Sequence, residues 1–75
     1  MIEQWQYVFV GVQYIEDIPM VYCVNDHHLP NWEDGPSLHI FINNLAQEGW
    51  SLTSVGYDSH GQIKTLVLQR AVESG

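Results

Sequence analysis

Cysteine is nearly absent from this chain. Cys23 is the only one in 75 residues, which excludes an internal disulfide and any thiolate cluster for zinc or an iron–sulfur centre. Its expected role is a thiol in the core. Basic residues are almost as scarce: Lys64 and Arg70 stand against nine acids, for a formal net charge of -7. DNA, RNA and anionic membranes all require clustered cations, so the chain is expected to bind none of them. The acids are scattered rather than gathered in blocks, the pattern of a solubilising surface. No apolar run approaches the ~20 residues that cross a bilayer. The start, M-I-E-Q-W-Q, lacks the basic region and small-residue cleavage site of a secretory signal, so a cytoplasmic protein is the expectation. Also missing are an internal repeat, a low-complexity tract, a Gly-rich phosphate loop, H-E-x-x-H, G-x-S-x-G and a dinucleotide fingerprint. No cofactor is expected.

What is present is apolar and aromatic. Hydrophobic residues make up 45% of the chain, with three Trp and four Tyr, too many for a disordered segment. The length suits one small domain, a size at which only about 60% of the unfolded surface is buried on folding. The stretch Asp34–Tyr57 organises the rest. Leu38, Phe41, Ile42 and Leu45 recur at helical spacing, with Ala46 at the edge of the stripe. Pro36 suits the first helical turn, Asp34 can accept from the orphan amides, and Gly49 suits the left-handed residue that stops a helix. Trp50 and Leu52 then begin a strand. Ile40 falls outside the stripe among His39, Asn43, Asn44 and Gln47; it is either a lone exposed apolar residue or a partner contact.

Before the helix, Trp5–Tyr14 is rich in aromatic and β-branched residues and reads as a strand. Trp5, Tyr7 and Phe9 line one side, and Val8, Val10, Val12 and Tyr14 the other, so both sides are expected to be covered. Gly11 marks a bulge or a close approach. Glu16–Pro19 reads as a turn and Met20–Asn25 as a second strand. Asp26–Asp34 has no period and reads as a surface loop. After the helix come a strand over Trp50–Tyr57, a tight turn at Asp58–Gly61, a strand over Ile63–Arg70 and a frayed tail over Ala71–Gly75. Leu66, Leu68 and Arg70 share one face of the last strand; Thr65, Val67 and Gln69 share the other. The fold class is therefore α+β: an antiparallel β-sheet of about four strands, in the order β-β-α-β-β, with one helix packed on one face.

These elements carry a resemblance. W-Q-Y-V-F-V near the start, then L-x-x-F-I-N-N-L-A-Q-E-G-W-S-L-T-S-V and a hairpin into T-L-V-L-Q-R, resembles the small bacterial family known as domain of unknown function 4177. The shared pattern is a W-x-Y strand, a helix ending in L-x-x-E-G-W, and a last strand ending on a basic residue. It covers most of the chain except Glu16–Asp34. The resemblance implies the fold but no activity, and the Met20–Asp34 segment departs from the shorter family pattern.

Two groups of residues have side chains of the types that carry chemistry. Asp26, His27, His28, Glu33 and Asp34 place imidazoles and carboxylates in one loop, the donor types that zinc takes. Adjacent histidines in extended chain point to opposite sides, so a polar loop without metal is the expectation. Cys23 with His27 or His28 has the residue types of a nucleophile and base but no orienting third group. Tyr7, Tyr14, Tyr22, Tyr57 and the three Trp could line a small-molecule pocket, although core and interface roles are commoner for such residues.

One helix covers one sheet face, and Val8, Val10, Val12, Val55, Tyr57 and Val67 are assigned to the other. With Ile40 on the outer helix surface, they form the expected interface of a homodimer or higher homo-oligomer. The rival is that the Asp26–Asp34 loop, through Leu29 and Trp32, folds back as a lid. Two functions stay open: a non-catalytic, self-associating binding or assembly module, and a small metal-dependent or hydrolytic enzyme built on the Asp26–Asp34 loop.

Overall fold

The computed structural model describes residues 2–74. Five strands and one helix follow in order: β1 (Ile2–Ile15), β2 (Ile18–Val24), β3 (His27–His28), a 3-10 turn (Trp32–Asp34), α1 (Leu38–Gln47), β4 (Ser51–Tyr57) and β5 (Ile63–Ser74). They form one antiparallel sheet in the spatial order β3-β2-β1-β5-β4, with α1 across one face. The fold is α+β, but with five strands rather than four. None of the helices among the described residues is long and apolar enough to cross a membrane.

The additional strand arises from turn chemistry. Asn25 and Asp26 both take positive φ, 50° and 68°, the geometry of a two-residue hairpin turn whose twist matches the flanking strands. The Asn25 carboxamide oxygen accepts from the Phe9 amide at 2.9 Å, and the Asn25 amide donates to the Phe9 carbonyl at 2.8 Å. The chain is thereby turned back so that His28 lies opposite Cys23. Glu16 and Asp17, at φ 51° and 69°, make the same kind of turn between β1 and β2, which places Pro19 inside β2 rather than closing the turn.

β1 is the middle strand and β5 its neighbour, paired from Ile2↔Ser74 to Gly11↔Thr65. Residues 71–74 are thus part of the sheet and not a frayed tail; Gly75 lies outside the described residues. Fourteen residues of strand span ~46 Å, which accounts for the molecule's long axis of 47 Å.

The core lies between this sheet and α1. It comprises Val8, Val10, Val12, Val21, Leu38, Leu66 and Leu68, with Phe41, Ile42, Leu45, Trp50 and Val55 packed against it. The expected assignment of faces is therefore reversed: Val8, Val10 and Val12 lie beneath the helix, and Trp5, Tyr7 and Phe9 stand on the open side. Register decides it, since Val8 pairs with Leu68 and Val10 with Leu66, while Phe9 pairs with Val67. The helix already contributes Leu38, Phe41, Ile42 and Leu45, and side chains of valine and leucine size complete that layer at interior density.

The ends of α1 follow local rules. Ser37 is the N-cap, its hydroxyl accepting from the Ile40 amide at 3.4 Å. Pro36 lies one residue ahead of it, outside the helical turn expected for it, and the capping role expected of Asp34, three residues ahead, is taken by Ser37. At the other end Gly49 takes φ 91°. The amides of Gly49 and Trp50 bond to the carbonyls of Ala46 and Leu45 at 3.1 Å each, the paired pattern of a Schellman stop. Arg70 fastens this end to the sheet: its guanidinium lies 4.6 Å over the Trp50 ring, donates to the Glu48 carbonyl and forks onto the Gln6 side chain.

Candidate functional site

The sheet face opposite α1 is the candidate site. Strand alternation brings Trp5, Tyr7 and Phe9 to it from β1 and Thr65, Val67, Gln69 and Ala71 from β5. Trp5, Tyr7 and Phe9 retain 50%, 49% and 55% of their accessible surface. Both sides of β1 were expected to be covered; this one is open.

A hollow of about 400 Å³ lies in the same face, lined by Phe9, Val10, Gly11, Cys23, Asp26, Thr65, Leu66 and Val67. Its floor follows from register. Cys23, Gly11, Thr65 and Gly56 are successive cross-strand partners, a row of small residues crossing four strands. A side chain at Gly11 would collide with Cys23 Sγ, and one at Gly56 with Thr65 Oγ1. The pairing of β1 with β2 shifts between Gly11 and Val12, leaving Tyr22 as the extra residue of a bulge. Cys23 is therefore a half-buried thiol beside the hollow, not the core thiol expected.

No family model, curated protein or solved structure matches the chain. Function has to be argued from the geometry.

The structure distributes the expected interface residues over four places. Val8, Val10 and Val12 are buried beneath α1, where they can meet no partner. Ile40 is 53% exposed on the outer side of the helix, far in topology from the open face. Tyr57 is exposed at the end of β4, opposite Ile63. Val67 lines the hollow from the open face, where Val10, buried beneath α1, also borders it, and Val55 packs against the core. The residues passed over were Trp5, Tyr7 and Phe9; the signal for them was the Val8–Leu68 and Val10–Leu66 matching, which needs the β1–β5 register.

The Asp26–Asp34 segment does not gather its donors. Asp26 sits in a turn, His27 and His28 are consecutive strand residues pointing to opposite sides, and Glu33 and Asp34 lie in the 3-10 turn. Among the described residues no three His, Cys, Asp or Glu side chains form a group able to hold a metal ion. Cys23 and His28 face each other across the ladder, but the thiol packs over Gly11 and the His28 ring sits edge-on to Tyr22 at 4.7 Å. Nor does the segment act as a lid over Trp5, Tyr7 and Phe9. Leu29 packs against the core beneath α1 and Trp32 meets Tyr22 at 5.7 Å.

Among the described residues one ionisable group, Asp58, is clearly perturbed. Hydrogen bonds from the Gln62 and His60 amides, at 3.0 and 2.8 Å, hold the Asp58 carboxyl below the usual aspartate range. It shapes the β4–β5 turn, where Gly61 takes φ 79°.

Proposed function

We propose that the protein is a non-catalytic binding or assembly module that associates with itself, in the simplest case as a two-fold homodimer, through the sheet face opposite α1. One observation carries the reading: three consecutive outward positions of the central strand, Trp5, Tyr7 and Phe9, are half-exposed aromatic residues. Such a row is costly to leave in water and is the composition of interface cores.

Size and charge support it. A monomer of 8.6 kDa is expected to expose about 4,700 Å², and this chain exposes 5357 Å². Its radius of gyration is 13.5 Å against about 11 Å for a compact chain of this length. The excess surface, roughly 650 Å², approaches the ~800 Å² each partner gives to a stable interface. The open face also carries none of the acids along Trp5–Gly11 or Thr65–Ala71, so two copies of charge -7 can meet there with the least repulsion.

The likeness to the domain of unknown function 4177 family is part of the same proposal, supported by the W-Q-Y-V-F-V and L-A-Q-E-G-W segments. A cytoplasmic setting is proposed too, and the free thiol of Cys23 suits a reducing compartment. Light scattering at micromolar concentration tests the association. A mass twice 8.6 kDa is expected, and a mass of one chain overturns the reading.

A further inference from the structure

We infer that the pair is keyed: Tyr7 of each copy seats in the hollow over Gly11 of the other, with the two β1 strands antiparallel about an axis near Phe9. The inference rests on the self-association proposed above and adds to it the register and the occupant of the hollow.

A two-fold interface must be complementary to itself, so that each copy supplies both projection and recess. The open face has both. Its aromatic row projects from β1, and its hollow lies on the same strand a few residues further on. The hollow's about 400 Å³ is more than ten times the ~30 Å³ share of one water, room for a single aromatic side chain. When two copies of β1 lie antiparallel, outward positions meet in pairs of constant sum. Centring the axis at Phe9 brings Tyr7 over Gly11 and, by symmetry, Gly11 over Tyr7. Only ~13 Å separates those positions along the strand, so both contacts fit within one interface.

Chemistry selects Tyr7 among the three rings. The apolar walls of the hollow are Phe9 and Val67, and Asp26 is the charged residue that lines it. A phenol offers an apolar body and one O–H donor, and a carboxylate accepts. The indole of Trp5 stands one outward position further along and passes beyond the hollow toward Gln13. A second copy is also the occupant that area and charge favour: each has surplus surface near the interface requirement, and apart from Asp26 at the hollow the face carries none of the acids along Trp5–Gly11 or Thr65–Ala71.

Cys23, the single thiol, borders the hollow and reports on its occupancy. Iodoacetamide alkylation of Cys23 is to be timed by mass spectrometry across a dilution series, with light scattering on the same samples. The rate is expected to fall at least about ten-fold as single chains give way to pairs. Pairs whose Cys23 reacts as fast as in single chains overturn the keyed geometry and leave self-association standing; single chains at every concentration overturn both. In Tyr7→Ala, concentrated until it pairs, alkylation should return to the single-chain rate, and retained protection overturns Tyr7 as the occupant. Tyr7→Phe keeps the ring and loses the O–H. It is expected to keep the protection and weaken association about 30-fold, as two lost hydrogen bonds, one from each copy, would; unchanged association overturns the bond to the rim. Because Tyr7 is outward-facing, neither substitution opens the core.

Discussion

Gly49 holds a backbone conformation that an ordinary side chain resists, and Asp58 holds a turn through its carboxylate. At φ 91° Gly49 lies where side chains are strained, and yet a Cβ there would meet only Arg70 Cδ, at an ordinary 3.8 Å. Gly49→Val should therefore cost about 1–3 kcal/mol through backbone strain alone, read as a lower urea midpoint with an unchanged slope. Gly49→Asn should cost less, since asparagine tolerates the left-handed region. Asp58 is a matter of protons. Its folded pKa is lowered by the Gln62 and His60 amides, so its contribution is fully present above the unfolded aspartate pKa of about 4 and is lost as pH falls through the folded value. Asp58→Asn should remove that part of the acid dependence, and a carboxyl titration followed by NMR should give a midpoint below the ordinary one. An ordinary midpoint would refute the turn geometry.

The helix and the strand pair β1–β5 are unequal in what they bury. Leu68 is 1% exposed between α1 and the sheet, whereas Leu45 is only partly buried at the helix end. Leu68→Ala should thus fall high in the 2–5 kcal/mol range of buried leucine truncations and Leu45→Ala near its bottom, a difference visible in paired urea titrations. Equal losses would mean that the helix end packs more tightly than it does. Helix legibility was good because its signals are local: the 38-41-42-45 stripe, and Gly49 at the stop. Strands were less legible. The Asn25–Asp26 turn that creates β3 uses non-glycine residues at positive φ, and residues 71–74 are held only by pairing with the start of β1, which no local pattern announces.

For the assembled protein, charge sets the dependence on conditions. Two chains of -7 repel, and salt shortens the reach of that repulsion to about 10 Å at 0.1 M. Association through a face that carries Asp26 at its hollow but no acids along Trp5–Gly11 or Thr65–Ala71 should therefore tighten as sodium chloride is raised, measured as a dissociation constant by light scattering or ultracentrifugation. Weakening with salt would point instead to ion pairs across the contact. Tyr7→Glu should disrupt pairing by bringing a second carboxylate against the Asp26 that lines the hollow, leaving the far-ultraviolet circular dichroism unchanged because the residue is outside the core.

Period two in β1 separates Trp5, Tyr7 and Phe9 from Val8, Val10 and Val12, and period 3.6 in the helix isolates its apolar stripe. Those are properties of the backbone's own geometry, readable wherever the residues are known. The same arithmetic fixes Leu66 and Leu68 on one face of β5, and the scarcity of cations sets the expectation that no phosphate-rich partner binds. Which set in β1 lies beneath the helix is not a local property. It depends on the register that matches Val8 to Leu68 and Val10 to Leu66, residues some sixty positions apart, and on the space left by Leu38, Phe41, Ile42 and Leu45. The hollow has the same origin: Cys23, Gly11, Thr65 and Gly56 are scattered along the chain and become one row only when four strands align. Interface and core exchange places on a one-residue change of face, and long-range pairing alone chooses between them.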